Sequence, residues 1–184
     1  TAWPAQAQSW PTRPVKLIMA TAAGSAPDVI ARIVTDRLAQ IWGQQVLVEN
    51  RPGGNSVIAT NALAGAPADG HTLIMLPSGT ITISTVMFQK LGFSTQDFTP
   101  ISLACTFPLI VTVNAALPVR SVKELADYMN ANPAKANYSG SGAAFHLPTQ
   151  LLRQRLNIGP MEFIQYKGSN ESVAAVMAGD VAMT

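Results

Sequence analysis

Apolar residues in this chain come in two alternating patterns. Short continuous runs, "VKLIMA" (15–20), "QVLVEN" (45–50) and "HTLIMLP" (71–77), read as β-strands. Between them the period changes. From Pro27 to about Trp42, residues Val29, Ile30, Ile33, Val34, Leu38 and Ile41 recur at helical spacing. Pro27 suits a first helical turn, Asp28 suits its dipole, and Gly43 ends it. "NRPGGNS" (50–56) is a turn, and Asn55 or Ser56 can cap a helix running to about Ala66. "PADG" (67–70) is another turn. The third run is apolar enough to be covered on both faces. Strands joined by helices of this length predict crossover connections and a parallel sheet.

The second half begins less regularly. Residues 81–92 read as helical and "DFTP" (97–100) as a break. "ISLACTF" (101–107) and "LIVTVNA" (109–115) are β-rich, divided by Pro108, and read as a crossing between two domains. Residues 121–133 read as a helix with Ser121 and Glu124 at capping-box spacing. A strand (136–140), a mostly helical stretch (143–157), a strand (161–166) and a capped helix (169–180) ending at Gly179 follow. "VAMT" (181–184) opens another strand. The expected class is α/β, with mostly parallel sheets flanked by helices. Against that architecture the sequence reads as incomplete at its C-terminal end.

Composition narrows the partners. Of 184 residues, 48% are hydrophobic and only 12% charged, against about 25% charged in ordinary domains. The formal net charge of +2 comes from scattered Lys and Arg, which disfavours nucleic acid. No run reaches the roughly 18 apolar residues of a membrane-spanning helix. Cys105 lies in an apolar stretch and reads as a small buried hydrophobe. Two histidines and one cysteine, far apart, give no metal-ligand spacing, and no motif calls for a cofactor. Ala5-Gln6-Ala7 matches a signal-peptidase site, so residues 1–7 read as a processing remnant of an exported protein; a cloning scar is the alternative.

No catalytic set emerges. Ser78 in "PSGT" is outside any G-x-S-x-G elbow. His146 has no serine or acid at a diagnostic spacing. "GSAPD" lacks the lysine and hydroxyl of a nucleotide-binding loop. What stands out is a set of small, hydroxyl-bearing loops after strands: residues 21–26, 78–80, 139–143 and 166–169. In open parallel sheets, ligands bind beyond the carboxyl ends of the strands. Backbone amides ahead of a helix suit an anion; ordinary tight turns are the other reading of each loop. For His146 a structural hydrogen bond stands beside ligand contact. Lys167 reads as exposed or as a ligand contact, and Tyr166 offers a flat wall with a hydroxyl.

The segments "WPTRPVKLIM", "ENRPGGNSVIATNALAGAPADGHTLIM", "SVKELADYMNANPAKANYSGSG" and "YKGSNESVAAVMAGDV" resemble the Bug-type extracytoplasmic solute receptors of tripartite tricarboxylate transporters. The resemblance implies two α/β domains of the type II periplasmic-binding-protein kind, here 8–104 and 105–184. It implies a small organic acid held in the cleft between them and delivered to membrane permease subunits from the periplasm. It implies ligand contacts from Ala22, Ala23, Gly24, Ser25, Ala26 and Asp28; from Ser78, Gly79 and Thr80; from Ser139, Ser141, Gly142, Ala143 and His146; and from Tyr166, Lys167 and Gly168.

Three departures qualify this expectation. Pro27 stands where the family usually has threonine. "SGSGAAFH" is shorter than usual, with Ala143, Ala144 and Phe145 where hydroxyls are common. Family chains also continue beyond the point where this sequence stops. Fewer donors would leave one end of a diacid unpaired, which is costly when buried, so a less charged or more apolar ligand is expected. Strands lacking partners would favour self-association, as in a truncated receptor-like protein that dimerises or senses. A hydrolase or transferase built on the same loops is the enzymatic alternative, disfavoured by the missing nucleophile–base pair.

Overall fold

The computed structural model describes residues 10–88 and 90–184. The proposed processing remnant at 1–7 lies outside them. The first half is built on strand β1 (Val15–Met19), helix α1 (Ala26–Trp42), strand β2 (Val46–Asn50), helix α2 (Val57–Ala64) and strand β3 (Thr72–Met75). The three strands are parallel, in the order β2-β1-β3. Alternation along β1 explains the layers. Leu17 and Met19 pack with Ala31 of α1, while Ile18 and Ala20 pack with Ala59 of α2. A strand that is apolar on both faces thus collects a helix on each side.

The most deeply buried strand is β1, not β3. The residues of β3 are all half-buried, because among the described residues it forms an edge of the sheet. Ser56 does occupy the position ahead of α2, but its side chain makes no capping bond. Its φ of +71° holds the backbone in the left-handed region, and its carbonyl accepts the Thr60 hydroxyl at 2.8 Å.

After β3 the chain makes two short helices, α3 (Ser78–Thr82) and α4 (Ser84–Met87). The helix expected over 81–92 therefore ends by Met87. No strand forms through 101–111, despite its apolar residues. A strand needs a partner ladder, and among the described residues only Val113 finds one, in an antiparallel bridge to Met183. Ile101, Leu103 and Ile110 are instead about three-quarters exposed.

Helix α5 (Val122–Ala131) starts with the Ser121 hydroxyl accepting from Glu124 N–H at 3.1 Å. The Glu124 carboxylate reaches one residue further back than a reciprocal box requires, to the Arg120 N–H at 2.6 Å. Strand β4 (Asn137–Gly140), helix α6 (Ala143–Arg155), strand β5 (Glu162–Gln165) and helix α7 (Ser169–Ala178) complete the second half. β4 and β5 are parallel. The Met183 segment pairs alongside β4 at Tyr138, as the pattern of residues 181–184 suggests. Tyr138 is fully buried among Leu125, Met129, Ile158 and Met183. α7 is preceded by Gly168 without a side-chain cap, and Gly179 closes it at φ +86°.

One buried charge ties the first half together. The Asp28 carboxylate is 1% exposed. It accepts from Gly24 N–H at 2.9 Å, from Arg32 Nε at 3.0 Å and from Asn50 Nδ2 at 2.7 Å. Burial alone would push this carboxyl up, but the hydrogen bonds from Arg32, Asn50 and Gly24 outweigh it and hold the group below its usual value. A depressed folded value means the stabilisation is present above the unfolded value, about 3.9, and is lost as pH falls through the folded one. Urea unfolding should therefore show stability falling below about pH 4. Asp28→Asn should be less stable at pH 7, with a shallower acid dependence. Parallel acid profiles for the two proteins would refute this role.

Candidate functional site

All five strands point their carboxyl ends toward one place. The segments after them, with the start of α4, line a cavity of about 40 Å³. Ala20 and Thr21 follow β1; Gly53, Asn55 and Ser56 follow β2; Pro77, Gly79 and Thr80 follow β3. Ser84 lies just beyond, at the start of α4. From the second half come Ser141, Gly142, Ala144 and Phe145 after β4, and Gln165, Tyr166 and Lys167 at the end of β5. Parallel pairing is the cause, since it puts every strand-to-helix turn at the same end of its sheet.

The polar groups there are unevenly satisfied. The hydroxyls of Thr21 and Ser84 are buried and have no hydrogen-bond partner among the described residues. Ser84 as a whole is 1% exposed. An unpaired buried hydroxyl costs about 1–3 kcal/mol, so two of them lining one cavity call for an explanation. The lining contains one cationic side chain, Lys167, and no carboxylate. The N-terminal ends of α2 and α6 also contribute, through Ser56 and through Gly142 and Ala144. Helix N-termini, a lysine and free hydroxyl donors make the cavity suited to an anion.

The expected contact residues divide into two groups. Gly79, Thr80, Ser141, Gly142, Tyr166 and Lys167 are brought together around the cavity. Ala22 and Gly168 meet beside it: a Cβ on Gly168 would stand 3.0 Å from that of Ala22. Ala143 opens α6 next to the lining. Ala23, Gly24, Ala26 and Ser78 are exposed and outside the lining. Ser25 is buried, its hydroxyl donating to Ala22 O at 2.7 Å, which shapes the loop from within.

Three expectations are corrected by position. Asp28 is turned inward to its network rather than toward the cavity. Ser139 is 2% exposed and shares a 2.7 Å hydrogen bond with Ser172, whose hydroxyl lies 2.6 Å from that of Thr184. This chain of hydroxyls fastens β4 to α7 and to the Met183 segment. His146 takes the structural alternative: Nδ1 lies 2.7 Å from the Tyr138 hydroxyl, which accepts from Gln150 Nε2 at 2.7 Å. Burial raises the Tyr138 phenol above its usual value, with the Gln150 hydrogen bond pulling the other way.

Sequence reasoning does not find Asn55, Ser56, Ser84 and Gln165 as lining residues. The turn "NRPGGNS" carries the same signal as the other four loops, small residues after a strand, but its Asn55 and Ser56 read as helix caps. Ser84 has no such signal, because it depends on how α3 and α4 break.

Comparison with known proteins fits this geometry. The chain is 33% identical over 178 residues to the UPF0065 protein in the tcbD-tcbE intergenic region of Pseudomonas sp. (strain P51), covering 95% of this chain and 52% of that relative. Among solved structures, R. palustris Rpa4515 with adipate aligns at a TM-score of 0.86 and 30% identity, over 95% of this chain and 59% of that one. The periplasmic binding protein BugD aligns at 0.82 and 27%, over 95% and 58%. The fold is thus that of periplasmic binding proteins, and the chain spans about half the length of the curated relative it matches. The family model described as tripartite tricarboxylate transporter family receptor matches residues 30–184, and the chain belongs to that family.

Proposed function

We propose that this chain is part of an extracytoplasmic solute receptor. It captures a small organic acid between two domains, 8–104 and 105–184, and presents it to membrane permease subunits from the periplasm. The observation that carries the reading is the pair of unpartnered hydroxyls, Thr21 and Ser84, buried against a cavity with a lysine and no carboxylate. A carboxylate satisfies both hydroxyls, and Lys167 balances its charge. Phe145, Ala144 and Pro77 supply apolar wall, which favours an aliphatic or aromatic body on the acid. The adipate held by the R. palustris protein has that chemistry.

A second reading rests on residues 101–111. Ile110 is 75% exposed, and Ile101, Leu103, Phe107 and Leu109 are also exposed. Unpaired apolar backbone invites another chain, and in this reading the 184-residue chain dimerises through it.

Two measurements test these readings. Calorimetry of the folded protein against mono- and dicarboxylates, adipate included, should find a binder. Thr21→Val and Ser84→Ala should each weaken it by about 1 kcal/mol, while Ser84→Ala leaves unfolding stability unchanged or higher because it removes an unsatisfied group. Ser139→Ala should do the reverse, lowering stability with little effect on affinity. If no acid binds, the receptor reading is wrong. For the second reading, light scattering should give a dimer that Ile110→Lys converts to monomer; a wild-type monomer rules it out.

A further inference from the structure

Four polar side chains in the second half form a line that can run in one direction only. Arg153 Nε donates to Gln150 Oε1 at 2.8 Å, and Gln150 Nε2 donates to the Tyr138 hydroxyl at 2.7 Å. That hydroxyl lies 2.7 Å from His146 Nδ1. A guanidinium has donors and no acceptor. The Gln150 oxygen must therefore face Arg153, which turns the amide N–H toward Tyr138. The phenol hydrogen is left for His146, so Nδ1 is the bare nitrogen of the ring and Nε2 carries the proton. Tyr138 is 0% exposed, and its hydroxyl has no further partner among the described residues.

The turn that carries His146 is short of backbone hydrogen bonds. α6 follows Gly142 with no side-chain cap. Gly142 O is shared by Phe145 N–H at 3.0 Å and His146 N–H at 3.2 Å. Pro148 lies inside the helix and has no N–H to give to Ala144 O, one turn back, so that helical bond is missing. The same turn supplies Ala144 and Phe145 to the cavity wall. The bond from the Tyr138 hydroxyl to His146 ties this turn to β4.

We propose that His146 is a proton-operated pin: neutral, it holds the first turn of α6 on the Tyr138 hydroxyl; protonated, it releases that turn and loosens the apolar wall of the cavity. A protonated ring donates from both nitrogens. The buried phenol hydrogen then loses its acceptor, which is costly. The bond is present while the ring is neutral and is lost as pH falls through the range of histidine, about 6.5 for a free side chain. The ring packs on Tyr138 of β4 and Phe163 of β5, and α6 meets α3 where Ala144 approaches Gly79. Of the titratable and charged groups on these elements, β4 has Tyr138, β5 has the exposed Glu162, α3 has none, and α6 has Arg153 and Arg155 besides His146. Among the described residues no carboxylate pairs with the ring, so no ion pair offsets the lost bond. As regulation of binding, the pin rests on the receptor reading, since only there does the wall hold a ligand.

Its test uses the intact chain with no organic acid added, so a failure counts against the pin alone, while the receptor reading stands or falls on calorimetry. Imidazole nitrogen spectra at pH 8 should show His146 with its proton on Nε2. Amide exchange at Phe145 and His146, corrected for intrinsic rates, should speed up about five- to thirtyfold between pH 8 and pH 5, as loss of one buried hydrogen bond implies. Ala31 and Thr35 on α1 should exchange no faster over the same range. His146→Asn offers an oxygen near the place of Nδ1 that does not protonate at these pH values, and should keep its protection at both. A proton on Nδ1 at pH 8, equal protection of the wild type at the two pH values, or a His146→Asn variant as acid-sensitive as the wild type would overturn the pin.

Discussion

A carboxylate with 1% exposure is tolerable only if its oxygens are hydrogen-bonded and its charge is matched. Asp28 meets that condition by drawing on three elements at once. Arg32 comes from the next turn of α1, Gly24 from the loop after β1, and Asn50 from the end of β2. Asn50 also donates to Thr21 O at 3.1 Å, and Arg32 Nη2 donates to Asn50 Oδ1 at 3.1 Å. The loop between β1 and α1 is therefore fixed from behind. Its Thr21 hydroxyl, on a residue that lines the cavity, has no partner among the described residues. Asp28 shapes the site without lining it.

This separation of roles explains what is legible in the sequence. The β1–α1–β2–α2–β3 order can be read directly, because burial on both faces of β1 imposes continuous apolar runs while the surface helix imposes a 3.6-residue period. The strands β4 and β5 of the second half are also legible, while the strand expected at residues 181–184 is reduced to isolated bridges at Met183. Residues 101–115 are not, since β propensity reports only that a segment fits a pleated surface. Whether a partner strand exists is a property of the fold. The same gap separates Ser56 as a helix start, which can be read, from Ser56 as a residue at φ +71° beside the cavity, which cannot.

The convergence of the strand-end loops follows from parallel pairing, and so can be anticipated; which side chains face the opening cannot. Tyr138 and His146 illustrate the difference. A histidine in the first turn of a helix, next to a glycine-rich loop, has a ligand's address. The fully buried Tyr138 phenol requires partners, however, and His146 and Gln150 are the groups within reach. The demand of a buried tyrosine outranks the position of the histidine.

Hydroxyl groups make the same point more sharply. Ser139, Ser172 and Thr184 carry the same hydroxyl group as Thr21 and Ser84. The first three satisfy one another at 2.6–2.7 Å, and Thr184 also bonds to Ser139 O. The last two have no partner among the described residues. A hydroxyl already paired gains little from a ligand, because a new bond must replace an old one. A buried unpaired hydroxyl gains the whole bond and loses a standing penalty. Affinity should therefore concentrate where the apo protein is least well satisfied. The arrangement places Thr21, Ser84 and the apolar Pro77 in the first half, and Lys167, Ala144, Phe145 and the Gln165 amide in the second. In the proposed receptor, each half would hold an incomplete set of ligand contacts and the two together would complete it.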